Sequence, residues 1–450
     1  MDDKSTTNKV LSTFNPEEVV REDRSLSTVV VDDIEKSSAS NVPTDELPPN
    51  GGWSAWLSVF GGFCGQLAIY GVNYTWGVFL NHYNEEVYPG QMSQLSWIGS
   101  ICVSFFFIIG PINEWVTSKM GYTKMLAFGT IMCPLALMLA SISHEIWQLY
   151  LTQGVMFGIG ASFIFFPTLA APQQAFTSLR GLAVGLCMCG SGVGGLIFSN
   201  ICQAAITNLD YRWALRIAGF VCFGFLVVCT ILVKPPPNAV VVNEEKFSDL
   251  FKKQKALVCD NKQFQIMLAI GTITTFGYLT PAFFLASYAE SIGLDPWIGT
   301  NLGAIMSAVN AVSMLSIGWI GDRIGRVNGL FICTFLSGIF TLAIWTTAKN
   351  SAAIWVYVVL YGFFGGGYLS LNAASLPQVA GYENISAANG LCYFTSVLGY
   401  MFGSPIVSAI VEKSGYAYAA VYCGMLMSAG GLLCWMLRVC RAGWNPLIKA

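Results

Sequence analysis

Charge is what this chain has least of. Only 11% of its 450 residues are Asp, Glu, Lys or Arg, under half the roughly 25% of a soluble domain. That shortage excludes an ordinary water-soluble fold. A formal net charge of −2 with no basic run offers nucleic acid nothing to bind. Histidine is nearly missing too, since His82 and His144 stand alone and far apart. Fourteen cysteines do not make a metal site. Most stand singly in apolar runs, as Cys64, Cys102, Cys133, Cys222, Cys333 and Cys434 do, where a thiol behaves as a small hydrophobe. Cys187 and Cys189 have no second pair beside them. No metal, no cofactor and, without a nucleophile–base set, no enzyme is expected. The first 49 residues lack the apolar core of a cleavable signal sequence. They read as a disordered tail rich in Ser, Thr, Asp and Glu.

Apolar length is abundant instead. Hydrophobic residues make up 54% of the chain and mean hydropathy is +0.58. Apolar stretches long enough to cross hydrocarbon as helix, about 18 residues or more, recur from Trp53 onward. Turn and charge punctuation predicts twelve: 55–79, 92–113, 125–143, 147–171, 181–206, 213–233, 264–289, 297–319, 329–347, 353–376, 385–411 and 418–438. The fold class is therefore an all-α membrane protein. The expected domains are a tail (1–49), a six-helix bundle (50–233), a polar linker (234–262), a second six-helix bundle (263–440) and a C-terminal tail (441–450). Lys119, Lys124, Arg180, Lys234, Lys246, Lys252, Lys253, Lys255, Lys262, Arg323 and Arg326 fall on one side. Arg212, Arg216, Lys349 and Lys413 fall on the other. The positive-inside rule puts the first group, and both termini, in the cytosol.

The second bundle repeats the first at a constant offset of 205. Gly160 and Pro172-Gln173 recur as Gly365 and Pro377-Gln378. "GLC" at 185–187 recurs at 390–392, and Ser191 and Gly194 recur as Ser396 and Gly399. Tyr211, Ala214 and Gly219 recur as Tyr416, Ala419 and Gly424. Two related halves around a midplane site make a transporter. A channel is the competing membrane reading, but no selectivity-filter loop or ring of charge stands out. The glycine-rich run "GLAVGLCMCGSGVGG" (181–195) suits close helix contacts, either fixed or sliding.

Charge gathers again in "GWIGDRIGR" (318–326). Gly318, Asp322, Arg323, Gly325 and Arg326 resemble the loop signature of the major facilitator superfamily, which implies that fold. The first-half counterpart is degenerate, with Ser118 in the acid's place before Lys119, Gly121 and Lys124. An acid and two guanidiniums at helix ends suit a gate that pairs the halves; interfacial anchoring is the plainer alternative. "NGGWSAW" (50–56) and "AFTSLRGLAVG" (175–185), which includes Arg180, resemble motifs of the monocarboxylate transporter family. Asn50 replaces the usual acid, and Ala175, Ser178 and Leu179 depart from the second motif. "RWALRI" (212–217) and "GSGVGG" (190–195) resemble its fungal branch, which includes riboflavin carriers. The resemblance implies a buried Arg on the eighth span and, in animal members, an Asp one turn earlier. Met314 and Asn310 stand there, so the lactate-and-proton chemistry does not carry over.

Neutral groups fill the spans. Tyr70, Asn73 and Tyr74, Tyr278, Asn310, Tyr361, Tyr368, Asn372 and Tyr393 are candidate solute contacts, either lining a chamber or joining helices. Gly318, Asp322, Arg323, Gly325, Arg326 and Arg180 are gating candidates. Arg216 either snorkels to lipid headgroups or holds an anion, and Glu114 is a possible proton site. These residues point to a secondary transporter of a neutral or weakly charged, riboflavin-like or monocarboxylate-like solute. The alternatives are a proton-coupled monocarboxylate symporter using Arg216, or a membrane sensor that does not transport. The expected partners are the solute and the lipid bilayer, with no nucleic acid. A monomer in the plasma membrane rather than the vacuole is expected.

Overall fold

A computed structural model describes residues 52–89, 91–234, 247–294 and 296–444. The expected N-terminal tail, most of the linker before residue 247 and the end of the C-terminal tail lie outside the described residues. Among the described residues eleven helices are long and apolar enough to cross a membrane, and the shorter apolar helix Trp97–Ile108 joins them. Together they make the twelve that the sequence implies.

The first half contains α1 (Trp53–Tyr74), α2 (Met92–Ile108), α3 (Gly110–Ser141), α4 (Phe157–Ala175), α5 (Arg180–Asn208) and α6 (Tyr211–Leu232). An amphipathic helix, α7 (Phe247–Asp260), follows. The second half contains α8 (Lys262–Tyr278), α9 (Thr280–Ser291), α10 (Pro296–Ile324), α11 (Arg326–Phe340), α12 (Ser351–Ala380), α13 (Ile385–Ser414) and α14 (Tyr416–Ala442). Lipid tails give no hydrophobic drive between helices, so small residues that let backbones approach decide the packing. That is why α1 and α5, with glycines facing each other's backbone, form one of the most extensive pairs.

Three departures from the expected spans bear on function. The linker, expected as a polar loop, contains α7. The second span ends at Ile108, and α3 then starts at Gly110 and continues through the loop-motif counterpart, bending at Gly121. Gly121 has φ +75° and its counterpart in the loop motif, Gly325, has φ +99°, a conformation L side chains rarely adopt. Both halves thus turn at the same motif glycine. Finally, the first helix of each half breaks just after a tyrosine. Helix α1 stops at Tyr74 and resumes at Trp76, and α8 stops at Tyr278 before α9 starts at Thr280.

Candidate functional site

The halves meet along two related seams, α5 against α10 and α2–α3 against α13. Each is closed near the end that carries the basic loops, here the basic end. Gly181 and Gly318 sit reciprocally, so that a Cβ on either would collide with the other's carbonyl. Gly110 and Gly390 do the same on the second seam. The "GLC" repeat marks equivalent positions, because Gly185 packs on the Met314 carbonyl as Gly390 packs on that of Gly110. Between the seams lies a buried amide pair. Asn389 donates to Gln173 at 2.5 Å, and Gln173 donates to the Ala373 carbonyl at 2.6 Å.

Asp322 adds charge to this closure. Its two carboxylate oxygens accept from the backbone N–H groups of Gly181 (2.9 Å) and Leu182 (3.0 Å). These open α5, so the second half's acid caps a first-half helix, where dipole and unpaired donors favour an anion. Arg326 holds the same carboxylate at 2.7 Å and donates to the Thr177 carbonyl at 2.8 Å. Arg180, fully buried, donates to the carbonyl of Phe176, just past the end of α4, and lies 4.4 Å from the Tyr382 ring of the other half.

The first-half loop has no such acid. Ser118 donates only to the nearby Trp115 carbonyl. Helix α7 takes up that corner instead. Lys253 pairs with Glu114 at 2.8 Å, and Gln254 donates to the Pro111 carbonyl at 2.5 Å, next to the Gly110–Gly390 contact. Helix α7 is anchored to the second half through Asn261, which donates to the Val379 carbonyl at 2.8 Å. Lys253→Glu is expected to speed opening of the basic end several-fold, since a partly exposed pair contributes roughly 1 kcal/mol. Adding Glu114→Lys should restore the wild-type rate. Hydrogen exchange of α7 and solute flux both report it, and a swap variant no closer to wild type than the single one would refute the strut.

At mid-depth the interface is aromatic. Tyr70 meets Tyr74 (5.8 Å), Phe106 (5.8 Å) and Phe165 (6.3 Å). Tyr393 crosses from α13 to stack on Phe107 (5.1 Å) and meets Phe165 edge-on (4.9 Å). Tyr278 and Tyr368 pair within the second half (5.5 Å). Tyr400 completes the group against Phe107 (5.3 Å). The ring contacts of Tyr70, Tyr74, Tyr278, Tyr368, Tyr393 and Tyr400 include one another and Phe106, Phe107, Phe165 and Phe166. Asn310 faces the Tyr278 side chain and Asn372 faces Cys392. Among the described residues the Tyr393 hydroxyl and the side-chain oxygens of Asn310 and Asn372 are buried without a partner. Unpaired buried polar atoms are costly, and here they flank the aromatic interface.

The Major Facilitator Superfamily model matches residues 58–326 and 298–447. The chain belongs to that superfamily. This facilitator is 29% identical to the MFS transporter asaE of Aspergillus flavus, over 93% of this chain and 94% of that one. It is 31% identical to the MFS-type transporter pynF of Aspergillus niger, over 84% and 87%. An agnestins efflux protein of Paecilomyces divaricatus is 28% identical, over 92% and 93%. Two solved folds superpose. The proton:xylose symporter XylE gives a TM-score of 0.68 at 12% identity, over 85% of this chain and 95% of that one. FucP in its outward conformation gives 0.68 at 13%, over 85% and 99%. The chain is therefore a multi-pass membrane transporter of the major facilitator fold.

Within this facilitator several candidates stand elsewhere than the sequence suggests. The Asn73 amide reaches Cys102 inside the first half at 3.8 Å, because it lies one residue off the Tyr70–Tyr74 face. Tyr361 donates to the Tyr278 carbonyl at 2.7 Å and packs on Tyr357, so it holds the broken helix end rather than facing the seam. Arg323 is exposed and stacks on Trp319 at 3.7 Å; one turn apart on α10, the pair shares an exposed face, while Arg326 is the arginine that meets Asp322. Arg216 donates to Ser141 at 3.1 Å and lies over Trp213, tied within its own half. Glu114 is an ion-pair partner, not a free proton site. Sequence reasoning did not assign Gln173, Asn389, Gly110, Gly390, Lys253, Phe107 and Tyr400 to the site. Of these, Gln173 carried a signal in the repeated Pro-Gln and Gly390 in the repeated GLC.

Proposed function

We propose that this facilitator moves a neutral or weakly charged organic solute by alternating access, with Tyr70, Tyr74, Tyr278, Tyr368, Asn310, Asn372 and Tyr393 as solute contacts. The uncharged tyrosine cluster at the seam carries this reading. A lactate-like anion needs a desolvated cation to offset its own desolvation, and among the described residues none of the arginines that lie over aromatic rings lies over these tyrosines. A riboflavin-like solute, with ring faces and many hydrogen-bonding groups, matches phenols and amides. The resemblance of residues 50–56 and 175–185 to the monocarboxylate transporter family supports the broader class of small organic solutes. In this reading the basic end and both termini face the cytosol, the membrane is the plasma membrane and the protein is a monomer. Efflux, the role that the agnestins protein's name gives it, is the direction this reading takes.

The test is flux of labelled riboflavin and labelled lactate in proteoliposomes. Riboflavin should move, with little response to acidification, and Arg216→Ala should leave its rate unchanged. Lactate movement without riboflavin movement, abolished by Arg216→Ala, would replace this reading with the monocarboxylate one.

A further inference from the structure

The ring stack on the α2–α13 seam has the shape of an occupied site. Phe107 lies nearly parallel to Tyr393 (centroids 5.1 Å apart, planes 20° apart) and to Tyr400 (5.3 Å, 29°). Those tyrosines are seven residues apart on α13, about 10 Å along its axis. Rings in offset contact lie about 4.5–7 Å apart between centroids, so a single ring can touch both tyrosines. The middle ring belongs to the other half of the protein. Three residues beyond Phe107, Gly110 meets Gly390, which is itself three residues before Tyr393. Separation of that glycine contact at the basic end therefore draws Phe107 out of the stack. What remains is a flat slot between two tyrosine faces. Phe165 walls it edge-on at 4.9 Å from Tyr393, and the buried Tyr393 hydroxyl, without a partner among the described residues, supplies a polar handle.

We propose that Phe107 is a built-in stand-in for the solute. A planar aromatic molecule with a hydroxyl or N–H group takes its place between Tyr393 and Tyr400 when the basic end opens, and Phe107 retakes the slot when that end closes. Solute and Phe107 compete for one place, so the solute binds the form open at the basic end more tightly and shifts the population toward it. This rests on the uncharged-chamber reading and adds to it the ring shape and the direction of loading.

Calorimetric titration of the full-length protein in nanodiscs with naphthol and with its saturated analogue decahydronaphthol tests the slot. Naphthol is expected to bind roughly tenfold more tightly than the saturated compound, because two ring faces favour an aromatic guest. Phe107→Leu keeps bulk but removes the competing ring, and should tighten naphthol about fivefold, with Phe107→Ala doing the same. Tyr393→Leu added to Phe107→Leu should cancel the gain. Weaker or unchanged naphthol binding in both Phe107 variants would overturn the proposal. So would an equal gain for decahydronaphthol, which would show a cavity and not a stack. A wild-type protein that carries uncharged xylose but does not prefer naphthol would overturn the slot while leaving the neutral-solute reading standing.

Discussion

Gly390→Leu is expected to abolish transport in a chain that still folds and inserts. A Cβ at 390 meets the Gly110 carbonyl, a backbone group that cannot rotate away. Overpacking of this kind costs about 1–3 kcal/mol even where neighbours can yield. Here the closed seam must part, which lowers the closed population roughly 5–150-fold at about 1.4 kcal/mol per decade. A transporter that cannot close its basic end exposes its chamber to one side only. Two readouts follow: loss of solute exchange in proteoliposomes, and labelling of Cys392, buried just past Gly390, by a thiol reagent added at the basic end. Gly224→Leu is the control, since nothing lies within 4 Å of a Cβ built there. Wild-type exchange with Cys392 still protected in Gly390→Leu would show that the seam does not need bare backbone.

Asp322→Asn should be nearly as damaging, for an electrostatic reason. Asn keeps the volume but offers one acceptor where two N–H groups need one each, and it turns its own donors toward the start of α5. It also strands the Arg326 guanidinium, whose side chain is 7% exposed beside a carboxylate at 6%. Removing one partner of a buried pair costs about 3–5 kcal/mol, mostly from the charge left behind. Exchange is expected to fall at least tenfold, again with Cys392 exposed. Adding Arg326→Gln to Asp322→Asn should recover part of the loss, because coupled residues are not additive. Arg323→Gln should change nothing, as Arg323 rests on Trp319 outside the gate. Additive losses at 322 and 326 would mean that the two act separately.

The contrast between Arg323 and Arg326 shows how far the sequence reaches. Both arginines belong to one motif, and residue type alone makes them equal. Geometry divides them, because positive φ at Gly325 turns the chain and brings Arg326 back over Asp322. The spans, the two-half repeat and the turn at Gly121 and Gly325 were legible because length and glycine position survive in any packing. The Gln173–Asn389 pair was not, since a lone amide in an apolar run says nothing about which helix will face it. Helix α7 was missed through attention to its charges. Leu250, Gln254 and Leu257, all buried, fall at helical spacing and would have revealed it. Asn73 shows the converse error: near neighbours in sequence point to different sides of one helix.

The phenol-lined interface also has an electrical consequence. Each elementary charge carried across a membrane exchanges about 2.3 kcal/mol with every 100 mV of potential. Side chains that are neutral at that depth, carrying a neutral guest, give the voltage nothing to act on. On the neutral-solute reading, transport is expected not to respond to the polarity of the cell.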